Sequence, residues 1–434
     1  MGHIKTNTKE YQLLQQRLSQ KVQGASNSPI LMKILSILFS PHEAEIASRL
    51  PHNFTPLDNL VNKFDMPKDE LESKLTEMSQ RGVLLDIKHN GTRYFTLPPV
   101  VIGLFEFVFM RTRPDMPLPD LAKLFDQYFH ENNDFMMTHF EGKTQLFRTF
   151  VREEALSETD YAEILDWERA SHVVDTASAW AVGLCQCHHT AEHLGSSCER
   201  PQEVCLTFNY AAEALSSAGH ARSISKRESM EILAKSKESG LAQTGDNVKN
   251  KVTFICNCCG CCCSVMRALK SLDLSKPLVS SNWIMEIDIE KCKGCGECAK
   301  VCPMDAVHIE RGEDAKKKRW AVRQEELCLG CGVCKTVCKS GAAKMKSRPQ
   351  KVFIPDTVFD QRVKMAIERG KLADLIFDDP EKMGHRLLGR IMRNLENSSP
   401  FKAAMAIDPL QSAFLKTIVK GARKGAGPLA DILT

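Results

Sequence analysis

The residues of this 434-residue chain that are best suited to chemistry are its 18 cysteines, all of which lie between Cys185 and Cys338. Deprotonated thiols bind zinc, iron and iron–sulfur clusters. Disulfides would staple the whole of a small secreted chain, whereas clustered cysteines in a reducing compartment are more often metal ligands. The distribution therefore predicts metal centres in the middle of the chain.

Two cysteine runs share the spacing C-x2-C-x2-C-x3-C. CKGCGECAKVCP supplies Cys292, Cys295, Cys298 and Cys302, and CLGCGVCKTVC supplies Cys328, Cys331, Cys334 and Cys338. Three thiolates at this spacing contact one face of a [4Fe-4S] cubane, and the fourth cysteine points to another cluster. Two zinc sites are the alternative, but zinc needs only four ligands, usually as two separated pairs.

This stretch resembles a bacterial two-cluster ferredoxin. The segment between the runs is lengthened by RGEDAKKKRW, and Lys339 stands where the second run normally has proline. The basic run 316–319 and Trp320 are interpreted as a solvated hairpin tip, with a docking surface as the alternative. Neither departure removes a ligand. The resemblance implies that the first [4Fe-4S] cluster is bound by Cys292, Cys295, Cys298 and Cys338, and the second by Cys328, Cys331, Cys334 and Cys302.

Ten further cysteines are predicted metal ligands. They lie in CQCHHTAEHLGSSCERPQEVC and in ICNCCGCCC: Cys185, Cys187, Cys198, Cys205, Cys256, Cys258, Cys259, Cys261, Cys262 and Cys263. Neighbouring side chains diverge, so the last three cannot all face one metal. Two phases are proposed, one of Cys256, Cys259 and Cys262 and one of Cys258 and Cys261, with the missing ligands taken from the first box.

These ten thiols suffice for one or two additional [4Fe-4S] clusters, which is the favoured interpretation. One cluster beside a centre with an open coordination site is equally compatible with the number of thiols. A structural zinc bound by Cys185, Cys187, Cys198 and Cys205 and buried thiols without metal are the alternatives. His189 and His193 lie in helical phase with Cys185, but hydrogen bonding or exposure to water is favoured over metal binding.

Residues 29–97 are predicted to form three helices followed by a β-hairpin, the element order of a winged-helix module. SPILMKILSILF, PLDNLVNKF and PKDELESKLTEMSQRG supply the helices, and VLLDIKHNGTRYFTL supplies two strands around Asn90 and Gly91. In DNA-binding relatives of this module the third helix enters the major groove. Here that helix mixes acidic and basic residues, so protein docking or dimerisation is favoured over nucleic-acid binding.

The other segments are predicted to be largely helical. Residues 115–168 include the phenylalanine-rich DLAKLFDQYFHENNDF and GKTQLFRTF, and SISKRESMEILAKSKESG carries an N-terminal cap at Ser225 and Glu228. Asp379 and Pro380 are predicted to begin a helix over EKMGHRLLGRIMRNL, and the tail KGARKGAGPLADILT is predicted to be a solvated end.

The sequence thus predicts an α+β protein with five parts. They are a winged-helix-like module at 1–110, a helical region at 111–170, a Cys-rich metal-binding module at 171–285, a two-[4Fe-4S] ferredoxin domain at 286–347 and a helical C-terminal extension at 348–434. The net charge of +4 is too small to indicate a nucleic-acid partner. No apolar run is long enough to span a bilayer and no export pattern is present, so a cytoplasmic location is expected.

The order of parts is similar to a group of multi-cluster proteins from anaerobic bacteria. The similarity rests on CQC, SSCERPQEVC, GHARSISKRESMEIL and ICNCCGCCC. It implies an electron-transfer protein that relays single electrons through its clusters to a partner oxidoreductase or within a larger oxidoreductase complex.

Two other functions remain open. A cluster-dependent reductase with its active centre at Cys256–Cys263 would use a spare thiol such as Cys258 or Cys263. A redox-sensing winged-helix transcription factor would use the N-terminal module. No dinucleotide fingerprint or nucleophile elbow is present, so whether the chain is an enzyme is undecided, and flavin stays open as a cofactor.

Overall fold

The computed structural model describes residues 9–130, 135, 139–140, 142–271, 280–312, 319–379, 381–406, 413–414 and 416–418. Three features singled out from the sequence lie outside these residues: positions 316–318 of the basic run, Pro380 and the tail 420–434. Within the described residues, no helix is both long and apolar enough to cross a membrane.

Two compact units make up the chain, and each is discontinuous in sequence. The first contains Met1–Thr144, Glu213–Arg222 and Asp356–Thr434, and the second contains Gln145–Ala212 and Ser223–Pro355. All 18 cysteines therefore belong to the second unit. The limits of the five parts proposed above stay a prediction.

The described part of the first unit combines helices with a small antiparallel sheet. The sheet has the order β1 (Thr55–Pro56), β3 (Thr92–Thr96), β2 (Leu85–His89). The segment Val100–Leu104 precedes the helix Phe105–Phe109 and has non-helical backbone angles at Val101, Ile102 and Gly103. The helices are Lys9–Ser19, Pro29–Leu38, Pro41–Arg49, Leu57–Phe64, Lys68–Gln80, Phe105–Phe109, Leu118–His130, Val358–Glu368, Leu372–Ile376, Met383–Glu396 and Ser399–Met405.

The predicted hairpin in this unit is confirmed. β2 and β3 pair around Asn90 and Gly91, whose φ angles of 49° and 79° are the positive values that a tight two-residue turn requires. The three predicted helices are also present, and a further helix, Pro41–Arg49, lies between the first two. The elements follow the predicted order, and the winged-helix assignment itself stays a prediction.

The prediction that Asp379 caps a C-terminal helix is wrong. That helix is Met383–Glu396, and Lys382 precedes it. Asp379 Oδ1 instead accepts a hydrogen bond from the Glu381 N–H at 3.1 Å and lies 2.5 Å from Lys63 Nζ. The carboxylate is engaged by these partners ahead of the first helical turn.

The second unit is built around a mixed set of strands and short helices. Its main sheet has the order β4-β8-β9-β6-β5-β7. Two antiparallel strand pairs, β10-β13 and β11-β12, lie outside this sheet. The strands are β4 (Phe147–Phe150), β5 (Trp180–Gly183), β6 (Cys205–Phe208), β7 (Arg222–Ser223), β8 (Ala242–Asp246), β9 (Phe254–Cys258), β10 (Trp283–Ile287), β11 (Val307–Arg311), β12 (Arg319–Arg323) and β13 (Ala343–Ser347).

Helices and single turns connect these strands. The helix Lys226–Glu238 has the predicted cap, since Ser225 Oγ accepts a hydrogen bond from the Glu228 N–H at 3.1 Å. The 3-10 turns are Glu153–Ala155 and Asp166–Glu168. The other helices are Glu158–Glu163, Ala170–Thr176, Gln186–His193, Ser264–Ser271, Glu297–Lys300 and Val333–Thr336, and the helix Asn209–Ser217 begins in this unit and ends in the first.

One helical prediction for this part of the chain is wrong. GKTQLFRTF contains β4, which pairs antiparallel with β8 in the six-stranded sheet. A short apolar run does not distinguish a buried strand from a buried helix by periodicity. The chain as a whole mixes helices and strands, in agreement with the predicted α+β class.

Candidate metal centres

The ferredoxin-like segment is formed by two similar halves. Each half has a short helix, Glu297–Lys300 or Val333–Thr336, that carries the third cysteine of its run. Each helix follows a glycine, Gly296 or Gly332, with φ near +84° or +83°. Glycine adopts this left-handed conformation without steric cost, so the cysteine run can turn sharply between its second and third thiols.

The first cysteine group of this segment is centred on Cys298, and the role of its members as ligands stays a prediction. Burial raises the pKa of Cys298, and the neighbouring charges of Cys292, Cys295 and Cys338 raise it further. Two backbone N–H groups donate to its sulfurs, from Ala321 to Cys292 Sγ at 3.4 Å and from Ala343 to Cys338 Sγ at 3.3 Å. Such N–H···S hydrogen bonds stabilise thiolate ligands and tune cluster potentials.

The second group lines a cavity with an empty volume of about 360 Å³. Cys302, Cys328, Cys331 and Cys334 all contribute to its wall. Burial raises the pKa of Cys331 to about 12, so a buried positive metal centre is what would favour its thiolate. The structure brings together the four residues predicted for the second cluster, and their role as ligands stays a prediction.

Six of the ten upstream cysteines form a row of neighbouring thiols, which we call the six-thiol group. Strand alternation places Cys256 and Cys258 on one face of β9. Hydrogen bonds from Cys256 and Cys263 lower the pKa of Cys258, and hydrogen bonds from Cys185 and Cys263 lower that of Cys187. Cys256 also forms a hydrogen bond with Cys205, the sixth member of the group. The group consists of Cys185, Cys187, Cys205, Cys256, Cys258 and Cys263.

A second upstream set, the His188 group, consists of His188, Cys198, Cys259 and Cys262. Its four ligand atoms all lie within 4.8 Å of one another. His188 Nε2 is 3.1 Å from Cys259 Sγ and 3.3 Å from Cys198 Sγ. Cys198 Sγ is 3.9 Å from Cys259 Sγ and 3.8 Å from Cys262 Sγ.

Hydrogen bonding polarises the His188 group. A hydrogen bond from Cys262 lowers the pKa of Cys259 to about 2, against the effect of burial, and His188 contributes to the same shift. Burial alone would lower the pKa of His188, but its hydrogen bond to Cys259 raises it to about 9. Cys259 is therefore favoured as a thiolate, the form that binds metals.

The two upstream groups differ from the predicted phases. Cys256 lies in the six-thiol group, apart from Cys259 and Cys262, because β9 ends at Cys258 and the chain then turns. Cys261 likewise does not join Cys258, since its sulfur lies 3.8 Å from Cys262 Sγ. Each group nevertheless combines side chains from both cysteine boxes, and their role as metal ligands stays a prediction.

The proposed structural zinc of the first box is not supported by this arrangement. Cys198 belongs to the His188 group, whereas the other three members, Cys185, Cys187 and Cys205, belong to the six-thiol group. The loop 194–204 between the helix and β6 carries Cys198 away from the other thiols.

The sequence drew attention to the wrong histidines. Cys185 is the N-cap residue of the helix Gln186–His193, and its carbonyl accepts a hydrogen bond from the His189 N–H at 2.9 Å, but its thiol belongs to the six-thiol group. The rings of His189 and His193 contact each other, with centroids 4.9 Å apart. His188 is instead the histidine that contacts the sulfurs of Cys198 and Cys259. In the sequence, only its position directly after Cys187 indicates that it lies near thiols.

The cysteine-dense box contacts the ferredoxin-like segment directly. A Cβ atom added at Gly260 would lie 2.0 Å from the carbonyl oxygen of Pro303, the residue after Cys302. Lys270 Nζ donates to the Gly260 carbonyl at 2.9 Å and to Asp305 Oδ2 at 3.0 Å. The turn between the two upstream groups therefore packs against the cysteine loop of the second ferredoxin group.

Three polar residues near the sulfurs were not predicted. Arg200 Nη1 lies 3.7 Å from Cys261 Sγ and 3.9 Å from Cys198 Sγ, and Thr244 Oγ1 lies 3.3 Å from Cys258 Sγ. The Arg152 N–H donates to the carbonyl of Cys331 at 3.0 Å. These residues carry no local sequence signature because they reach the cysteines only through the fold.

Comparison with known proteins identifies the class of one part of the chain. A family described as 4Fe-4S dicluster domain matches residues 291–342. No curated protein and no solved structure matched the chain. Residues 291–342 are therefore an iron–sulfur domain of the ferredoxin type. The matched residues include both cysteine runs and end directly before β13.

Proposed function

We propose that this protein relays single electrons through two [4Fe-4S] clusters to a further iron–sulfur centre at the six-thiol group, and from there to a partner oxidoreductase of anaerobic metabolism. The dicluster match and the cysteine groups support an iron–sulfur electron-transfer role. In the proposal the two clusters are bound by the eight ferredoxin-type cysteines, with Cys338 and Cys302 exchanged between the runs.

One contact carries the proposal: the packing of Gly260 on Pro303. Pro303 directly follows Cys302, a proposed ligand of the second cluster. Gly260 lies two residues after Cys258, the member of the six-thiol group at which β9 ends. Covalent bonds and the contact between Gly260 and Pro303 thus connect the two sets of cysteines. Electrons pass most readily between centres whose ligands approach closely, so this contact favours a relay over two independent sites.

The six-thiol group suits a cluster better than a single ion. Among the described residues, the His188 group is a set of candidate ligands whose atoms all lie within 4.8 Å of one another. The sulfurs of the six-thiol group are not in such a set, and neither are those of the ferredoxin-type cysteines. In a cubane each cysteine binds a different iron, so ligand sulfurs are spread around the cluster. Six thiols are more than one cubane requires.

The reductase alternative receives less support. Its candidate thiols, Cys258 and Cys263, are 8% and 6% exposed, so a substrate has little access to them. Cys261 is exposed, but desolvation and the neighbouring Cys259 raise its pKa, and a protonated thiol is a poor nucleophile. The transcription-factor alternative requires the helix Lys68–Gln80 to bind DNA. Lys74 of that helix lies 3.5 Å from Glu70, whose negative charge offsets its own.

Iron and acid-labile sulfide per chain, measured after anaerobic purification, test the proposal. We expect about twelve irons, because two cubanes account for about eight and the six-thiol group for the rest. Cys256→Ser combined with Cys258→Ser should lower the count to about eight and leave the paramagnetic signals of the ferredoxin pair in place. Cys261→Ser is the matched control and should keep all of the iron.

About eight irons in the unaltered chain would refute the further cluster. A colourless protein without bound iron would refute the electron-transfer role altogether. For the relay itself, reduction by a one-electron donor should reach the six-thiol centre in the unaltered chain, and loss of the second ferredoxin cluster should slow that reduction.

A further inference from the structure

The His188 group has the dimensions of a site for one metal ion. A tetrahedral ion bound about 2.3 Å from sulfur and about 2.0 Å from nitrogen places its ligand atoms roughly 3.5–3.8 Å apart. The observed separations are 3.8 and 3.9 Å between sulfurs and 3.1 and 3.3 Å between the His188 nitrogen and sulfur. Small outward movements of His188 Nε2 complete the tetrahedron.

A cubane does not fit the same four atoms. Each cysteine of a cubane binds its own iron, and the inorganic sulfides between the irons keep the ligand sulfurs apart. All four atoms of the His188 group lie within 4.8 Å of one another, unlike the row of thiols in the six-thiol group, and this leaves no room for a four-iron core between them. The arrangement selects a single ion over a cluster.

We propose that His188, Cys198, Cys259 and Cys262 bind one zinc ion in a closed, structural Cys3His site that is separate from the iron–sulfur relay. Thiolate and imidazole ligands in tetrahedral geometry are the set that zinc favours. The inference goes beyond the electron-transfer function and does not depend on it, because it concerns a redox-inactive ion at residues outside the six-thiol group.

The local backbone is already arranged for such an ion. Cys259 and Cys262 have the C-x2-C spacing of zinc-binding turns, and the Cys262 N–H donates to Cys259 Sγ at 3.4 Å. The helix Gln186–His193 presents His188, and the loop that follows it presents Cys198. One ion would thereby tie a helix, a loop and the turn after β9 together.

The surroundings match the charge and the dryness of the proposed site. His188, Cys259 and Cys262 are 1%, 3% and 1% exposed. Cys259 and Cys262 pack with Ala191, Val204 and Leu241 in one apolar cluster, which shields their sulfurs from water, and His188 contacts Cys259. Three thiolates and Zn²⁺ sum to one negative charge, and the Arg200 guanidinium, 3.9 Å from Cys198 Sγ, lies where it offsets that charge.

The ligands should differ in strength. Among the described residues, His188 Nδ1 has no hydrogen-bond acceptor, although metal-bound histidines usually donate from their second nitrogen. His188 is thus expected to be the weakest of the four ligands, and Cys259, which also accepts the Cys262 N–H, the strongest.

Metal analysis of the full chain, purified without oxygen, tests this assignment. We expect one zinc per chain in addition to the iron. Cys259→Ser should remove the zinc and leave the iron count unchanged. His188→Ala should release zinc to a chelator at least about tenfold more readily, and His189→Ala and Cys261→Ser, the matched controls, should retain it.

Cobalt binding supplies a measurement that needs no variant. Exchange of the ion for Co²⁺ in the full chain should give the intense visible bands of a tetrahedral thiolate site, with a difference spectrum free of iron–sulfur absorption. The assignment is overturned if the chain contains no zinc and forms no such cobalt site, if one iron ion occupies the position instead, or if Cys259→Ser lowers the iron count by about four. The iron count of the unaltered chain tests the relay separately.

Discussion

The two cysteine-rich regions of this protein bring their cysteines together in different ways. In the ferredoxin-type domain, three consecutive cysteines of one run and a single cysteine of the other are predicted to share a cluster, as the resemblance to two-cluster ferredoxins implies. In the upstream region, the His188 group takes its members from a helix, a loop and a turn that lie up to 74 residues apart, from His188 to Cys262.

This difference explains what spacing can and cannot encode. A contiguous run wraps around its own cluster, so local geometry determines which thiols converge. In ICNCCGCCC, strand β9 sends Cys256 and Cys258 to one side, and the turn at Gly260 sends Cys259 and Cys262 to another. Two cysteines with C-x2-C spacing therefore no longer face the same site when a strand ends between them.

The largest test of the contrast is removal of a run cysteine. Cys331→Ala deletes a buried thiol from the wall of the second ferredoxin cavity, and about four of the irons should be lost because three thiols hold a cubane poorly. Iron and sulfide analysis with low-temperature paramagnetic resonance measures the loss. Cys261→Ala removes an exposed thiol and should lose none. Equal iron in both variants would contradict the ligand set.

The contact between the two regions provides the next largest effect. Gly260→Ala would bring a methyl group to 2.0 Å from the Pro303 carbonyl oxygen, so the two backbones must separate. We expect the free energy of unfolding to fall by about 2–3 kcal/mol, as for overpacked interiors. Denaturant titration under anaerobic conditions measures it.

Gly384→Ala is the control for this substitution. A Cβ atom at Gly384 meets nothing within 4 Å, and the residue lies in the helix Met383–Glu396, where alanine is the better helix former. That variant should be neutral or slightly more stable. If both variants behave alike, the close approach of Gly260 to Pro303 is not a feature of the folded protein.

The parts that the sequence predicted share one property, which is that neighbours along the chain determine them. The hairpin at Asn90 and Gly91 and the cap at Ser225 are of this kind, and so are the two cysteine runs. The parts that were missed depend on distant partners. β4 becomes a strand because β8 offers it an edge, and His188 meets Cys259 only because the sheet returns the chain to the helix.

The charge beside the second ferredoxin group should have a measurable effect on its potential. Arg152 donates through its backbone N–H to the Cys331 carbonyl, and its guanidinium donates to Thr336 Oγ1 at 3.2 Å and to the Leu241 carbonyl at 3.2 Å. Burial lowers the pKa of Arg152, and the nearby thiols Cys331 and Cys334 oppose that shift, which means that the cation and the sulfurs interact.

Arg152→Gln should therefore lower the reduction potential of the second cluster. Loss of a positive charge costs the reduced, more negative cluster on the order of 1 kcal/mol at an effective dielectric constant near 20, which corresponds to about 40 mV for one electron. Arg152→Lys keeps the charge and should keep the potential within about half of that shift. Anaerobic redox titration measures both, and an unchanged potential in Arg152→Gln would contradict the electrostatic role.

The smallest expected effect concerns Lys270, which connects the two regions by polar contacts alone. Its Nζ donates to the Gly260 carbonyl and to Asp305 Oδ2, and the Asp305 side chain is largely exposed. An exposed ion pair contributes about 0.5 kcal/mol, and a hydrogen bond to a carbonyl contributes about as much again. Lys270→Met, which preserves the aliphatic stem, should thus cost about 1 kcal/mol of unfolding free energy, and Asp305→Asn about half of that. Added salt should reduce the cost of both variants by a similar amount, to near zero for Asp305→Asn and to about 0.5 kcal/mol for Lys270→Met, because screening weakens the ion pair and leaves the carbonyl hydrogen bond. Equal costs for the two variants would mean that Lys270 acts through Asp305 only and that the Gly260 turn is positioned by packing against Pro303 alone.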